Sequence, residues 1–470
     1  MIEWDLIENL HRRGLEHILD QIFGYLDYYC LRRAELVSVV WQEALLEGKI
    51  WKTLLGRNMR LFPCWKDMFV ALKGMKHKSL DFQDDSAEYY RKICCLIEVE
   101  LQVLESNWKK MKYSERKSEF GCISHNLSTF YNSADYYDLN GDWIVRVQPD
   151  RRIVIRNRWT LEIEDVLEIP IMQIQFNEII PVLKSVKIND SFIVASFIHH
   201  PEICVWDTKT RDLLYVIDMD SCGIQEEEEN DEESLYHSEC GLSLWKNLLL
   251  SCYTRSLIGL SWILTLRCLS PFMGEEVVIL HRTVIVGPGI MWGLFVDEIY
   301  TVIFFLHYQS LSEDVTVEIR STTSFEIKSV IKLNSKDIPS GFHYANGLVV
   351  TGPGDRGKSI RIWDVVTGQC IVKIPHRETL ASIRLVSNKY IVGCENSCKI
   401  KIWDLQTALK SNRSPNPGCL MKTIPPPPVP YLDILFPPSL AVDEFQIVLV
   451  SQFDRRSFRL SVKNFLDAAK

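Results

Sequence analysis

From residue 5 to about 115 the apolar positions recur at helical spacing. Leu15, Ile18, Ile22 and Leu26 fall three and four residues apart and predict one face of an amphipathic helix. Leu31, Ala34, Val37 and Trp41 predict a second helix, with Asp27-Tyr28-Tyr29 as the turn between them. Trp51, Leu54 and Leu55 predict a third. Tyr90, Ile93, Ile97, Leu101, Leu104 and Trp108 keep the same steps and predict a longer helix, which Asp84, Asp85 or Ser86 would cap.

After about residue 118 the pattern changes to short alternating or wholly apolar runs separated by Gly, Asn, Asp and Pro, which is the pattern of strands and turns. Three segments are alike: Ile203-Cys-Val-Trp-Asp-Thr, Ile360-Arg-Ile-Trp-Asp-Val and Ile400-Lys-Ile-Trp-Asp-Leu. Trp363 and Trp403 are 40 residues apart, the period of a four-stranded propeller blade. Weaker copies bring the anchor positions to 156, 206, 267, 320, 363, 403 and 461, which makes seven units. The steps of 61 and 58 residues hold insertions: an acidic stretch in one, Ser411 to Pro417 and the Pro425–Pro428 run in the other. The last unit stops soon after its third strand. Its fourth strand must come from the start of the repeat region, expected near Gly121 to Phe130, which would join the two ends of a ring.

Composition narrows the function classes. With 470 residues, 47% apolar and 24% charged, the chain has the make-up of a folded multidomain protein. Its net charge of −8 argues against a general binder of nucleic-acid backbones, which needs a basic face. Eight acids lie between Glu226 and Glu239, so the acidity belongs to one loop, expected to be a solvated insertion at about 222–240. No secretory signal opens the chain, and the most apolar stretch, Leu257 to Leu266, is half the ~20 residues that a membrane-spanning helix needs. Fourteen cysteines without a CxxC pair read as reduced thiols, and the expected location is cytoplasmic or nuclear. No motif for catalysis, metal or cofactor appears, and the expectation is a protein without any of them. Gly352 to Ser359 matches GxxxxGK[ST] in letters. It lies between two strands rather than before a helix, so the phosphate cradle is missing.

Residues 5–75 resemble an F-box, most similar to that of the beta-transducin-repeat-containing substrate receptors of SCF ubiquitin ligases. The matching stretches are Arg13-Gly-Leu-Glu-His-Ile, Tyr25-Leu-Asp, Ala34-Glu-Leu-Val and Leu54-Leu, with Trp41, Trp51 and Trp65 in register. Glu105-Ser-Asn-Trp108, Lys401-Ile-Trp-Asp-Leu and Asp443-Glu-Phe-Gln-Ile-Val resemble the same family. The resemblance implies an α plus all-β multidomain chain: an F-box and following helices over 1–78, a linker helix over 79–117, and a seven-bladed WD-repeat β-propeller over 118–470. It implies a non-catalytic receptor whose F-box binds a Skp-type adaptor, and through it a cullin, while the propeller binds a protein substrate. Leu10, Leu15, Ile18, Ile22, Leu31, Leu36, Val40 and Trp41 are the expected adaptor residues, some of which must instead form the small domain's own core. A WD-repeat scaffold that no longer recruits a ligase is the alternative.

The sequence departs from the family in three ways. Leu10-His11 replaces the usual Leu-Pro at the start of the F-box. There is no room before residue 5 for the family's dimerisation segment. At the propeller mouth, Pro149, Lys336-Asp-Ile-Pro339 and the region of Pro288-Gly289 stand where the family carries phosphate-binding arginines. Three lost guanidinium forks remove most of a dianion's charge-assisted hydrogen bonds. Arg356, Lys358 and Arg377 remain as basic candidates for a substrate site, with solvated surface cations as the commoner explanation. Trp206/Asp207, Trp363/Asp364 and Trp403/Asp404 read as packing and turn residues rather than ligands, and His376 as a loop histidine with incomplete support.

Overall fold

In a computed structural model the chain divides into two units, residues 1–113 with 465–470, and residues 114–464. The structure describes residues 5–47, 49–74, 85–121, 137–147, 152–169, 182–198, 202–218, 241–253, 261–270, 277–286, 289–309, 312–333, 339–353, 358–410, 419–426, 438–454 and 457–466. The acidic stretch, Arg356 and the segment 411–418 lie outside them. No helix among the described residues is long and apolar enough to cross a membrane.

The first unit holds α1 (Leu6–Arg12), α2 (Glu16–Gly24), α3 (Tyr28–Ala34), α4 (Val39–Glu47), α5 (Ile50–Leu61), α6 (Pro63–Gly74) and α7 (Ala87–Lys110). Its core is Leu19, Phe23, Leu31, Leu45, Trp51, Leu54, Met68, Leu72, Ile93 and Ile97. The buried face of α2 is therefore Leu19 and Phe23, one residue round from the predicted stripe, or about 100° on the helix. The predicted second helix is two. The first ends at Ala34 with Glu35 as its C-cap, and the Ser38 hydroxyl accepts the Trp41 amide (3.2 Å) to start α4. Ser86 caps α7 by accepting the Tyr89 amide at 3.1 Å. Near the other end of α7, Asn107 donates to the Phe465 carbonyl (2.8 Å), and Trp108 stacks on Phe465 with centroids 4.0 Å apart.

The second unit is seven four-stranded antiparallel sheets, the blades of a propeller. The closing strand β1 is Ser114–Gly121. Blade 1 is β2–β5 (Tyr137–Asn140, Trp143–Val147, Arg152–Asn157, Ile163–Glu168), and blade 2 is β6–β9 (Val182–Ile188, Phe192–Ile198, Glu202–Asp207, Leu213–Asp218). Blade 3 is β10–β13 (Gly241–Trp245, Leu248–Tyr253, Ser261–Cys268, Val278–Val286), and blade 4 is β14–β17 (Gly289–Val296, Tyr300–Gln309, Ser312–Ser321, Ile327–Leu333). Blade 5 is β18–β21 (Phe342–Ala345, Leu348–Thr351, Ser359–Asp364, Cys370–Pro375), and blade 6 is β22–β25 (Leu380–Val386, Tyr390–Glu395, Ile400–Asp404, Leu420–Ile424). Blade 7 is β26–β28 (Ser439–Val442, Gln446–Asp454, Ser457–Asn464) with β1 as its outer strand. The closure runs through Ser114–Gly121, ahead of the expected Gly121 to Phe130, with Ser114 opposite Asn464.

All seven sequence anchors lie on the third strand of their blade. The core sits between blades: Val145 and Ile155 of blade 1 pack with Val186, Ala195 and Trp206 of blade 2. The tryptophans behave as packing residues and the paired acids as turn builders. Trp206 and Trp403 are buried, and Asp207 accepts the amides of Lys209 and Thr210, each at 2.7 Å. Polar links between hairpin turns join successive blades: Asn140 to Asp190 (2.9 Å), Asn189 to the Lys246 carbonyl (2.5 Å), Lys246 to Glu298 (3.5 Å), Tyr344 to Asp297, Asn346 to Asn388 (3.5 Å) and Ser387 to Glu444. Buried Arg158 of blade 1 completes the circle on Asp443 of blade 7 at 2.6 Å.

Candidate functional site

The helical unit exposes several large apolar side chains that its own core leaves uncovered. Tyr25 is 88% exposed and Leu36 84% exposed, and Ile22, Val37 and Val39 are exposed beside them in sequence. These residues sit on the end of α2, the turn after it, and the link between α3 and α4. The backbone there is held firmly. Arg57 of α5 donates to the carbonyls of Gly24 (2.5 Å) and Leu26 (2.6 Å), which fixes the turn between α2 and α3. Asp27 caps α3 by accepting the Cys30 amide at 2.7 Å. At the far end of α3, buried Glu35 accepts from Arg91 of α7 at 2.6 Å and pairs with Arg32. A rigid backbone carrying exposed aliphatic side chains can bury apolar area against a partner without an ordering cost.

The structure sorts the sequence-predicted adaptor residues. Ile22 and Leu36 are exposed. Leu10, Leu15, Ile18 and Val40 are half-buried. Leu31 is fully buried in the unit's own core, the place the sequence reading left open for some of these residues. Trp41 is half-buried and engaged internally: its indole donates to Asp5 at 2.8 Å and its ring meets Phe23 edge-on. That indole, together with the Glu8 and Ile7 amides, holds the Asp5 carboxyl below its usual range. Tyr25, Val37 and Val39, also exposed, were not among the expected adaptor residues. For Val37 and Val39 the signal was the run Leu36-Val37-Ser38-Val39-Val40, more aliphatic than one helix face can bury.

On the propeller, Lys358 and Arg377 are both exposed and come to one end of blade 5, where the His376 amide donates to the Lys358 carbonyl at 2.9 Å. His376 itself is buried, edge-on to Trp403 with centroids 5.3 Å apart, and its Nε2 has no partner. Burial and then the charge of Lys401 push its pKa down to about 4. A Cβ on Gly393 of β23 would lie 3.0 Å from both Leu380 and Trp403. His376 is a packing residue held neutral.

No protein-family profile matches the chain. A curated relative, F-box and WD repeat domain-containing 11-A of Danio rerio, is 30% identical over 169 residues. That alignment covers 36% of this chain and 29% of the relative, so the chain matches less than a third of the relative's length. Among solved structures, a chain of a mitotic checkpoint complex is 13% identical, with 74% of this chain and 90% of that one covered and a TM-score of 0.48. KlHsv2 with its loop 6CD replaced by a Gly-Ser linker is 10% identical, with coverage of 69% and 91% and a TM-score of 0.46. The computationally designed Ika8 protein is 14% identical, with coverage of 71% and 97% and a TM-score of 0.42. The chain thus has a helical unit followed by a seven-bladed propeller, and part of it is similar to an F-box and WD-repeat protein.

Proposed function

We propose that the chain is a substrate-receptor subunit of an SCF-type cullin-RING ubiquitin ligase. Its F-box binds a Skp-type adaptor and its propeller binds a protein substrate. The observation that carries this reading is the exposure of the apolar side chains Ile22, Tyr25, Leu36, Val37 and Val39, on a backbone pinned by Arg57 and Asp27. Such a receptor performs no chemistry of its own. It raises the effective concentration of a substrate lysine near the charged carrier. The propeller reads its substrate without the family's phosphate-binding arginines, and Lys358 and Arg377 are exposed cations at one end of blade 5.

Co-purification with the Skp-type adaptor tests the proposal. The full chain retains the adaptor, and Ile22→Asp releases it, because a carboxylate placed in an apolar interface has no partner there. Loss of the adaptor by the unaltered chain would overturn the reading. One observation favours a second reading, a scaffold without a ligase. Helix α1 runs through Leu10 and His11, where the family's Leu-Pro would set a rigid turn.

A further inference from the structure

The outer strand of blade 7 is built unlike the outer strands of most other blades. Leu167 of β5, Ile217 of β9, Ile331 and Leu333 of β17, and Val372 and Ile374 of β21 are buried in the cores between blades. In β1, residues Ser114 to Glu119 are half-buried or exposed, and none of them is buried. The strand is held by its backbone pairing with β28 over Ser114–Gly121 and by ion pairs to the same strand.

The seam that joins blade 7 to blade 1 is built from other strands. Tyr137, Ile144 and Leu161 of blade 1 pack with Val448, Leu460 and Val462 of blade 7. Buried Arg158 of blade 1 lies 2.6 Å from Asp443 of blade 7 and donates to Gln446 at 3.1 Å. The Tyr137 hydroxyl donates to the Val448 carbonyl at 3.3 Å. β1 reaches blade 1 through Arg116, which donates to the Trp159 carbonyl. The apolar core and the buried ion pair of the seam therefore do not depend on β1.

The two ends of the β1–β28 ladder are unequal. Near Ser114, Lys463 Nζ is 2.6 Å from Glu115, with the lysine side chain 6% exposed and the glutamate 30%. Near Gly121, Arg459 is 2.7 Å from Glu119, whose side chain is 53% exposed. Salt screens an exposed pair strongly and a partly buried one much less. An element with few buried apolar contacts and solvent-exposed backbone bonds opens before the molecule as a whole unfolds.

We propose that β1 is a releasable strap. It peels from β28 starting at the Gly121 end, with Glu115 and Lys463 as its clasp, while the seam between blades 7 and 1 stays closed. Ionic strength sets how often it opens. Release bares the outer edge of β28 to solvent. The strap is independent of the adaptor-binding reading.

Native-state hydrogen exchange of the full chain at pH 7, in about 0.05 M and about 1 M sodium chloride, is the test. The β1 amides that bond to β28 are expected to exchange at least tenfold faster than the seam amides of Ile144 and Val448. Raising the salt speeds exchange in the Glu119 half of the strand by about two- to fivefold, the range of an exposed pair, and leaves the seam unchanged. Glu119→Gln gives the same increase at low salt and removes the salt effect. Glu115→Gln extends the faster exchange to the Ser114 half. Exchange of β1 and seam amides at one common rate, or β1 exchange that responds neither to salt nor to Glu119→Gln, overturns the proposal.

Discussion

The strand that closes the ring, SERKSEFG, carries four charges in eight residues, and register sets Glu115 against Lys463 and Glu119 against Arg459. Lys463 Nζ lies 2.6 Å from Glu115, the Ser461 hydroxyl donates to it at 2.7 Å, and Lys117 is 3.0 Å away. Burial pushes the Glu115 carboxyl up, but these three partners outweigh it and bring it from its ordinary 4.5 to about 2. At about 1.4 kcal/mol per tenfold in proton affinity, that shift corresponds to roughly 3 kcal/mol. The Lys463 side chain is 6% exposed and that of Glu115 30%. Solvent screening at Glu115 brings the expected loss in Glu115→Gln to about 2 kcal/mol. The folded carboxyl binds its proton more weakly than the unfolded one. Its stabilisation is therefore complete above about pH 5 and lost as pH falls from about 4.5 toward 2. Urea denaturation of the full chain and of Glu115→Gln at pH 7 and pH 3 measures this, with Lys463→Met and the double variant closing a cycle. The gap between the two proteins should shrink to less than half at pH 3. A loss below about 0.5 kcal/mol at pH 7, the level of an exposed pair, or a gap that ignores pH, would refute the reasoning.

Four further outcomes follow from named side chains. His376 is neutral and buried with a pKa of about 4, so the protein should lose stability as pH falls from about 6.5 to 4, and His376→Phe should flatten that limb in urea titrations. Gly293→Ala should cost about 1–3 kcal/mol in the same assay, because its Cβ would lie 2.2 Å from the Phe342 ring, which is stacked on Phe304 and cannot move aside freely. Arg57→Ala should loosen the turn between α2 and α3, seen as faster amide exchange at Leu26 and Asp27 and weaker adaptor binding. Leu31→Ala should cost about 2–5 kcal/mol of folding stability, whereas Leu36→Ala should change it by less than about 0.5 kcal/mol, which separates core from surface by melting alone.

The propeller was legible because three of its third strands share an apolar-x-apolar-Trp-Asp pattern, and packing between blades keeps the apolar pair in the weaker copies. The closing strand was placed a few residues too late for a physical reason. As an outer strand it is held by charge opposite Lys463 and Arg459, and it lacks the apolar alternation that marks a buried strand. In the helical unit Leu15, Ile18 and Ile22 keep perfect spacing, yet the core takes Leu19 and Phe23. Periodicity reports that a face is apolar; it does not report whether this chain or another covers it. For the same reason buried Leu31 stood among the expected adaptor residues and exposed Tyr25, Val37 and Val39 did not.

The most direct test of the account is the affinity of the purified full chain for a Skp-type adaptor, measured by calorimetry together with Leu36→Asp and Val39→Asp. The account predicts a one-to-one complex that each substitution abolishes while the melting temperature stays unchanged, because both side chains are already exposed. Absence of a complex with the unaltered chain, or equal affinity in both variants, would contradict it.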